Sequence, residues 1–337
     1  MDTRTPVLVL GASGFIGSHV VAALSSHPAY RPIAASRKAA ADGSRVALDA
    51  TNPDAVRAAV REVGAVVNCL AGGEGAMTRA TTALCEANPA RIVHLSSMAV
   101  YGAATGTVRE DHTPVQPVGG YGQAKIDAEA IVRRYADAGG QAVILRPTCV
   151  FGPGSSQWTT RIARLLQARR LGDLGSAGDG GCNLAFIDDL VDTVIASLDA
   201  PSGGVFNISS SAELTWNQFL LRFARALDAT PVRRIPARML RLETKLLAPA
   251  RRIGSKLVKS PVTEAITPSL AALFAQDIWI DCSAATAELG LRPTPLDRMI
   301  DTSVRWLGPR PPGAPDARPR TRVARPGAAV TAGQAGR

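Results

Sequence analysis

Seven residues near the amino terminus constrain the fold more than any other feature of the chain. Gly11-Ala12-Ser13-Gly14-Phe15-Ile16-Gly17 follows the apolar run Val7–Leu10 without a break and leads into His19-Val20-Val21-Ala22-Ala23-Leu24. Strand, glycine turn and helix in that order aim the first N–H groups of the helix at an anion. Glycine is needed because the turn is tight, the backbone must approach a pyrophosphate, and the helix must pack close to the strand. The pattern points to a dinucleotide held by Gly11, Ser13, Gly14, Phe15, Ile16 and Gly17.

The rest of the first half keeps the same rhythm. Val7–Leu10, Ile33–Ser36, Ala65–Leu70, Arg91–Ser96 and Ala142–Leu145 read as strands. Between them, 16–25, 53–62, 78–87 and 124–138 have helical apolar spacing, and Asn52-Pro53 is a cap followed by proline in the first turn. The expectation is an α/β fold, a Rossmann-like doubly wound parallel sheet with a smaller carboxyl-terminal substrate-binding lobe. Residues 1–152 form the dinucleotide-binding domain, completed by parts of 183–215, including a helix from Asp188 and a strand Val205–Ile208. Residues 153–308 form mainly the lobe. The last stretch, 309–337, is Pro, Gly, Ala and Arg without an aromatic residue, a composition that predicts a disordered basic tail.

The formal net charge of +10 invites a nucleic-acid reading, but its distribution argues against one. Residues 309–337 carry +5 and Arg233–Lys259 carry +8, which leaves the remaining chain at −3. The 233–259 stretch interleaves its basic residues with Met239, Leu240, Leu242, Leu246 and Leu247, so it reads as an amphipathic helix interrupted near Pro249. Either it is a lobe helix with a solvated basic face, or it meets anionic lipid or a phosphate-bearing substrate. No run approaches the ~20 apolar residues of a membrane span. The amino terminus lacks a signal-peptide pattern, so a cytoplasmic location is expected. Five scattered cysteines and four histidines predict neither a disulfide framework nor a metal site.

Tyr121-Gly122-Gln123-Ala124-Lys125 puts a phenol and an ammonium one helical turn apart on one face. Leu95-Ser96-Ser97-Met98-Ala99-Val100-Tyr101-Gly102 precedes them at a predicted strand end. A phenol near pKa 10 is a poor base at neutral pH, and a neighbouring ammonium together with an oxidised nicotinamide favours its anion, so Tyr121 can exchange a proton with a substrate oxygen. At the end of the second strand, Ser36-Arg37-Lys38 stands where NAD binders place an acid and NADP binders a base; NADP is favoured, with Arg37 on its 2′-phosphate.

The G-x-x-G-x-x-G turn, the Ser97/Tyr121/Lys125 set, Arg146-Pro147-Thr148-Cys149-Val150-Phe151-Gly152-Pro153-Gly154, Phe186-Ile187-Asp188-Asp189-Leu190 and the stretch from Asp281 to Leu307 together resemble the extended short-chain dehydrogenase/reductase, or NAD-dependent epimerase/dehydratase, family. The resemblance runs from Val7 to Leu307. It implies that Asp49 and Ala50 contact the adenine side of the cofactor and that Leu70 and Ala71 lie beside the nicotinamide ribose. Pro147 and Val150 complete the cofactor contacts. It further implies that Lys125 bonds the ribose and that Ser97 holds the reacting oxygen, with Ser96 the competing choice. The implied activity is NAD(P)-dependent interconversion of a secondary alcohol and a ketone, on an activated sugar, nucleotide- or lipid-linked, with Tyr121 as acid/base. A polyprenyl-diphosphate-linked or nucleotide-sugar 4-epimerase with recycled cofactor, a non-sugar NADPH-dependent ketone reductase and a non-catalytic dinucleotide sensor are the alternatives. A homodimer follows from family habit. Two departures stand out. Met98-Ala99 replaces the acidic pair of the dehydratases, and Cys182 stands where nucleotide-sugar epimerases commonly carry a diphosphate-binding Arg; Arg161, Arg164, Arg169, Arg170 or the basic stretch are the candidate substitutes. Cys149 reads as a packed core residue.

Overall fold

The computed structural model describes residues 2–41, 43–112, 119–211, 213–242, 244 and 266–308. Its first half alternates β1 (Thr5–Leu10), α1 (Phe15–Ser25), β2 (Tyr30–Ser36), β3 (Val46–Ala47), α2 (Pro53–Val60), β4 (Ala65–Asn68), α3 (Glu74–Glu86) and β5 (Ile92–Leu95). A 3₁₀ turn (Met98–Tyr101), β6 (Gly106–Val108), α4 (Gly120–Asp137) and β7 (Ala142–Pro147) follow. Then come β8 (Cys149–Phe151), α5 (Arg161–Gln167), β9 (Leu184–Phe186), α6 (Ile187–Ala196), β10 (Val205–Ile208), α7 (Trp216–Ala226) and α8 (Ala237–Leu242). The last described elements are α9 (Pro268–Ala275), β11 (Ile278–Ile280), α10 (Ser283–Glu288) and α11 (Leu296–Leu307).

Seven strands make one parallel sheet in the order β10-β7-β5-β4-β1-β2-β3. Parallel strands covered on both faces read as unbroken apolar runs, and β4, β5 and β7 are buried along their whole lengths. One face packs against α1 and α6 through Val7, Val9, Val20, Leu24, Leu190 and Val194. The other face packs against α2, α3 and α4 through Leu8, Leu10, Val56, Leu84 and Val132. The order reverses between β1 and β4, so the carboxyl ends of those two strands open the crevice in which such folds bind their ligands.

A second core belongs to the lobe. Trp216, Phe219 and Phe223 of α7 meet Phe151 and Phe274 edge-on, with centroids 4.9 to 5.4 Å apart, and Phe219 stacks on Phe223. Two short parallel pairs, β8 with β9 and β11 with β6, tie this lobe to the sheet unit. Because β6 comes from the first half and α10 packs Ala285 back into the sheet's core, the two parts interleave.

The expected elements are present with shifted ends. β7 continues through Arg146 and Pro147, and α3 starts at Glu74 with Gly73 as its N-cap. The Asn52 carboxamide oxygen accepts from the N–H groups of Asp54 and Ala55, as a cap should. The expected basic helix is described only as α8; 245–259 and the tail 309–337 lie outside the described residues. Among those residues, no helix is long and apolar enough to cross a membrane.

Candidate active site

The glycine turn has little room to spare. Gly11 sits at φ +76°, and a Cβ there would stand 3.0 Å from the Cys69 carbonyl oxygen at the end of β4. A Cβ on Gly17 would stand 2.3 Å from the Gly11 carbonyl oxygen, so α1 can press onto the turn only without one. Gly14 N–H closes the turn onto Gly11 O at 2.9 Å, and no side chain caps the first turn of α1. Its N–H groups therefore face the crevice, as a pyrophosphate requires. Phe15 and His19 pack against Gly154, which brings the segment after β8 over the same helix end. Pro147 and Val150 are buried beside it, Leu70 is half-buried, and Ala71 and Ser13 are exposed.

At the far end of the crevice, Arg37 is exposed just past β2. Asp49 is also exposed, and Ala50 behind it is buried. The Asp49 carboxylate accepts from Thr51 N and Oγ1 at 2.9 and 2.7 Å; these bonds, aided by the charges of Arg37 and Arg79, hold its pKa below the usual value. The cradle and its basic rim fit a dinucleotide.

Tyr121 and Lys125 project from α4 toward the end of β5. Lys125 is 2 % exposed, and its Nζ donates to Leu95 O at 2.7 Å and Leu70 O at 3.4 Å. The ammonium lies 5.9 Å from the centre of the Tyr121 ring. Burial pulls the lysine pKa down to about 8. Tyr121 is 48 % exposed as a residue, yet its hydroxyl is desolvated, which pushes the phenol pKa up; the influence of the Ser97 side chain opposes the shift. Without a dinucleotide the chain does not depress the phenol, because desolvation outweighs the influence of Ser97.

Ser97 Oγ accepts from Ala99 N at 3.2 Å, and its side chain bears on the pKa of the Tyr121 phenol. Ser96 Oγ is buried without a partner among the described residues. Cys149 and Cys182 are both buried in the lobe core, so the position expected to bind diphosphate carries an uncharged, packed thiol. Burial raises both thiols' pKa.

Sequence reasoning missed the polar support beneath α4. Asn68 Nδ2 and His94 Nδ1 are 3.1 Å apart on neighbouring strands, and burial, with the Lys125 charge, pushes the imidazole down to about 3, keeping it neutral. Glu129, one turn beyond Lys125, takes two bonds from Arg146, Nε to Oε1 at 2.9 Å and Nη2 to Oε2 at 2.7 Å. Arg146 Nη1 donates to the Tyr101 hydroxyl at 2.8 Å, and that hydroxyl donates to Asn207 Oδ1 at 2.6 Å. A polar residue inside an otherwise apolar strand, as in Ile92–Leu95 and Ala142–Pro147, is the sequence signal that could have found them.

Residues 7–209 match the NAD dependent epimerase/dehydratase family. The chain belongs to that family, and with this site it is an NAD(P)-dependent oxidoreductase or epimerase of the extended short-chain type. It is similar to the dTDP-6-deoxy-L-talose 4-dehydrogenase (NAD(P)(+)) of Kitasatospora kifunensis, 32% identical over 239 residues, 62% of this chain and 75% of that protein. It is also similar to the dTDP-4-keto-6-deoxy-D-glucose reductase of Streptomyces niveus, 28% identical over 250 residues, 68% of this chain and 82% of that protein. In fold it matches UDP-glucuronic acid 4-epimerase from Bacillus cereus in complex with NAD, with TM-score 0.67, 20% identity, and coverage of 90% and 96% of the two chains.

Proposed function

We propose that the chain interconverts a ketone and a secondary alcohol at a ring carbon of a nucleotide-linked sugar, with Tyr121 as the proton donor and acceptor. The carrying observation is the Tyr121 phenol one helical turn from Lys125, whose buried ammonium lies 5.9 Å from the phenol ring centre and is fixed on Leu95 O, with Ser97 just past the end of the same strand β5. Ser97 holds the substrate oxygen, Tyr121 gives or takes its proton, and Lys125 places positive charge under the ring and reaches the ribose of the bound dinucleotide. That dinucleotide, cradled by the Gly11–Gly17 turn, supplies the hydride chemistry.

The raised phenol pKa keeps Tyr121 neutral at neutral pH, the form that donates a proton in reduction; oxidation needs its anion. The similar reductase and dehydrogenase lend support to a net redox reaction. An epimerase, which oxidises and re-reduces one carbon without consuming cofactor, uses the same residues. In this reading 1–152 binds the dinucleotide and 153–308 the sugar, and NADP is preferred. The protein is a cytoplasmic homodimer, in peripheral contact with the inner face of the membrane through 233–259.

Replacing Tyr121 with Phe should lower turnover about 10²–10⁴-fold while leaving dinucleotide binding intact; retained turnover would refute the assignment. Denaturing the purified protein and identifying the released dinucleotide separates the two reactions. A near-stoichiometric cofactor indicates recycling in place, and an empty protein that binds NADPH indicates a net reductase.

A further inference from the structure

Lys125 is held on main-chain carbonyls, so its place depends on whatever fixes those carbonyls. Its Nζ donates to Leu95 O at 2.7 Å and to Leu70 O at 3.4 Å, the first at the end of β5 and the second just past the end of β4. The titratable groups around it are Tyr121, Cys69, His94 and Glu129. Glu129 is already taken up by two bonds from Arg146, and burial pushes the Cys69 thiol up to about 12, which keeps it uncharged. The two strand ends, then, are what place the ammonium.

Those strand ends are joined by side chains. β4 and β5 are parallel neighbours, and Asn68 stands in register with His94. Asn68 Oδ1 accepts from Leu70 N at 3.2 Å, which fixes the carboxamide, because turned over it would set its amide donors against the Leu70 N–H. Nδ2 therefore faces His94 Nδ1, 3.1 Å away, as a donor. The imidazole must accept there and carry its proton on Nε2. Both residues are 1 % exposed, and His94 Nε2 is buried without a partner among the described residues. A buried donor left unpaired costs stability. Two residues earlier on the same face, Val66 stands opposite Ile92 as ordinary core, so the sheet itself does not ask for a polar pair.

What the pair holds explains its presence. His94 directly precedes Leu95, and the Asn68 carboxamide grips the N–H of Leu70, so each side chain adjoins a carbonyl on which Lys125 is fixed. We propose that Asn68 and His94 are positioning residues for Lys125: their hydrogen bond ties β4 to β5 at the level of the two carbonyls and so sets where the ammonium stands against the Tyr121 ring and the bound dinucleotide. The imidazole serves this only while neutral, since a second cation beside Lys125 would repel it. The proposal rests on the role given above to Lys125, and its test keeps the two apart.

The test follows the ammonium itself, by NMR of the side-chain nitrogens in the full chain labelled at lysine. Lys125 is one of five lysines, and the signal missing from Lys125→Met is its own. Its protons should exchange slowly with water, and Asn68→Leu or His94→Phe should speed that exchange about tenfold or more. The double variant should be no faster than the faster single one, because the two side chains act as a unit. Nitrogen NMR of the chain labelled at histidine should find His94 protonated on Nε2 and accepting at Nδ1 through neutral pH. Binding then separates the pair from the lysine. NADPH reaches Lys125 whereas ADP stops at the glycine turn, so both strand variants and Lys125→Met should weaken NADPH about threefold or more and leave ADP unchanged. Unchanged NADPH binding by Lys125→Met would remove that lysine from the ribose, and the exchange rates would still decide whether the pair holds it. A purely structural pair would lower the melting temperature of the variants and leave the exchange of Lys125 as it is. That result, a His94 protonated on Nδ1, or NADPH weakened by Lys125→Met but by neither strand variant, overturns the proposal.

Discussion

Lys125 shows most directly what the site asks of a single residue. Its ammonium is enclosed, and burial lowers its pKa from 10.5 to about 8. Between those values the unfolded chain binds more protons than the folded one, so stability contributed at this position rises with pH from about 8 upward and is at its lowest below 8. Lys125→Met should therefore raise stability at neutral pH by about 2 kcal/mol, after allowance for the bond lost by Leu95 O, while turnover collapses. It should also flatten the rise above pH 8. Denaturant titrations on either side of that pH read both effects, and a less stable variant at neutral pH would contradict the argument. Arg37 is the opposite kind of residue, exposed and close enough to Asp49 to lower its pKa. Arg37→Asp should move the NADPH-to-NADH binding ratio toward NADH by about tenfold or more, since it replaces a phosphate partner with an acid that suits a ribose diol. An unchanged ratio would remove Arg37 from the site.

The helix α4 places both Tyr121 and Lys125, and its orientation is set from beneath. Ala124, Lys125, Ala128, Glu129 and Val132 form its buried stripe at three- and four-residue spacing. Ala124 and Ala128 pack on Met77 of α3, and Glu129 is clamped by the Arg146 of β7. Removing one partner of a buried ion pair leaves the other uncompensated, so Glu129→Ala should cost about 3–5 kcal/mol, read by chemical denaturation. A cost below about 1 kcal/mol would mean that water reaches Arg146 and the pair is not structural. The history of these elements in the sequence is uneven, for physical reasons. The glycine turn, the Asn52 cap and the Tyr121/Lys125 spacing are local, so they could be read directly. Glu129 could not, because a carboxylate on a helix otherwise reads as a solvated face and its partner is decided by where β7 lies. The three-residue strands β6, β8, β9 and β11 escaped for a related reason: each pairs with a segment far away in the chain and is too short to show a period. Ser97 over Ser96 was legible only as resemblance, because both follow β5 directly and nothing local separates them.

In the whole molecule, a buried carboxylate helps fasten the carboxyl-terminal elements to the sheet unit, beside the β6/β11 pair and Ala285. Asp189, in the first turn of α6, accepts from Ser210 Oγ, Thr294 N and Thr294 Oγ1, each at 2.7 Å. The chain beyond Thr294 then enters α11, whose Met299, Ile300 and Ser303 are buried, the first two in the lobe core. This makes the end of α11 the point at which chain length begins to matter. Residues 309–337 hold five of the ten net positive charges. A chain ending at Gly308 should keep the turnover and melting temperature of the full chain, whereas one ending at Pro295 loses the α11 face and should not accumulate in folded form. Turnover and thermal denaturation of the two truncations distinguish the cases. Loss of turnover on removing 309–337 alone would show that the basic tail takes part in the site, and the charge it carries would then have to be counted with that of the substrate.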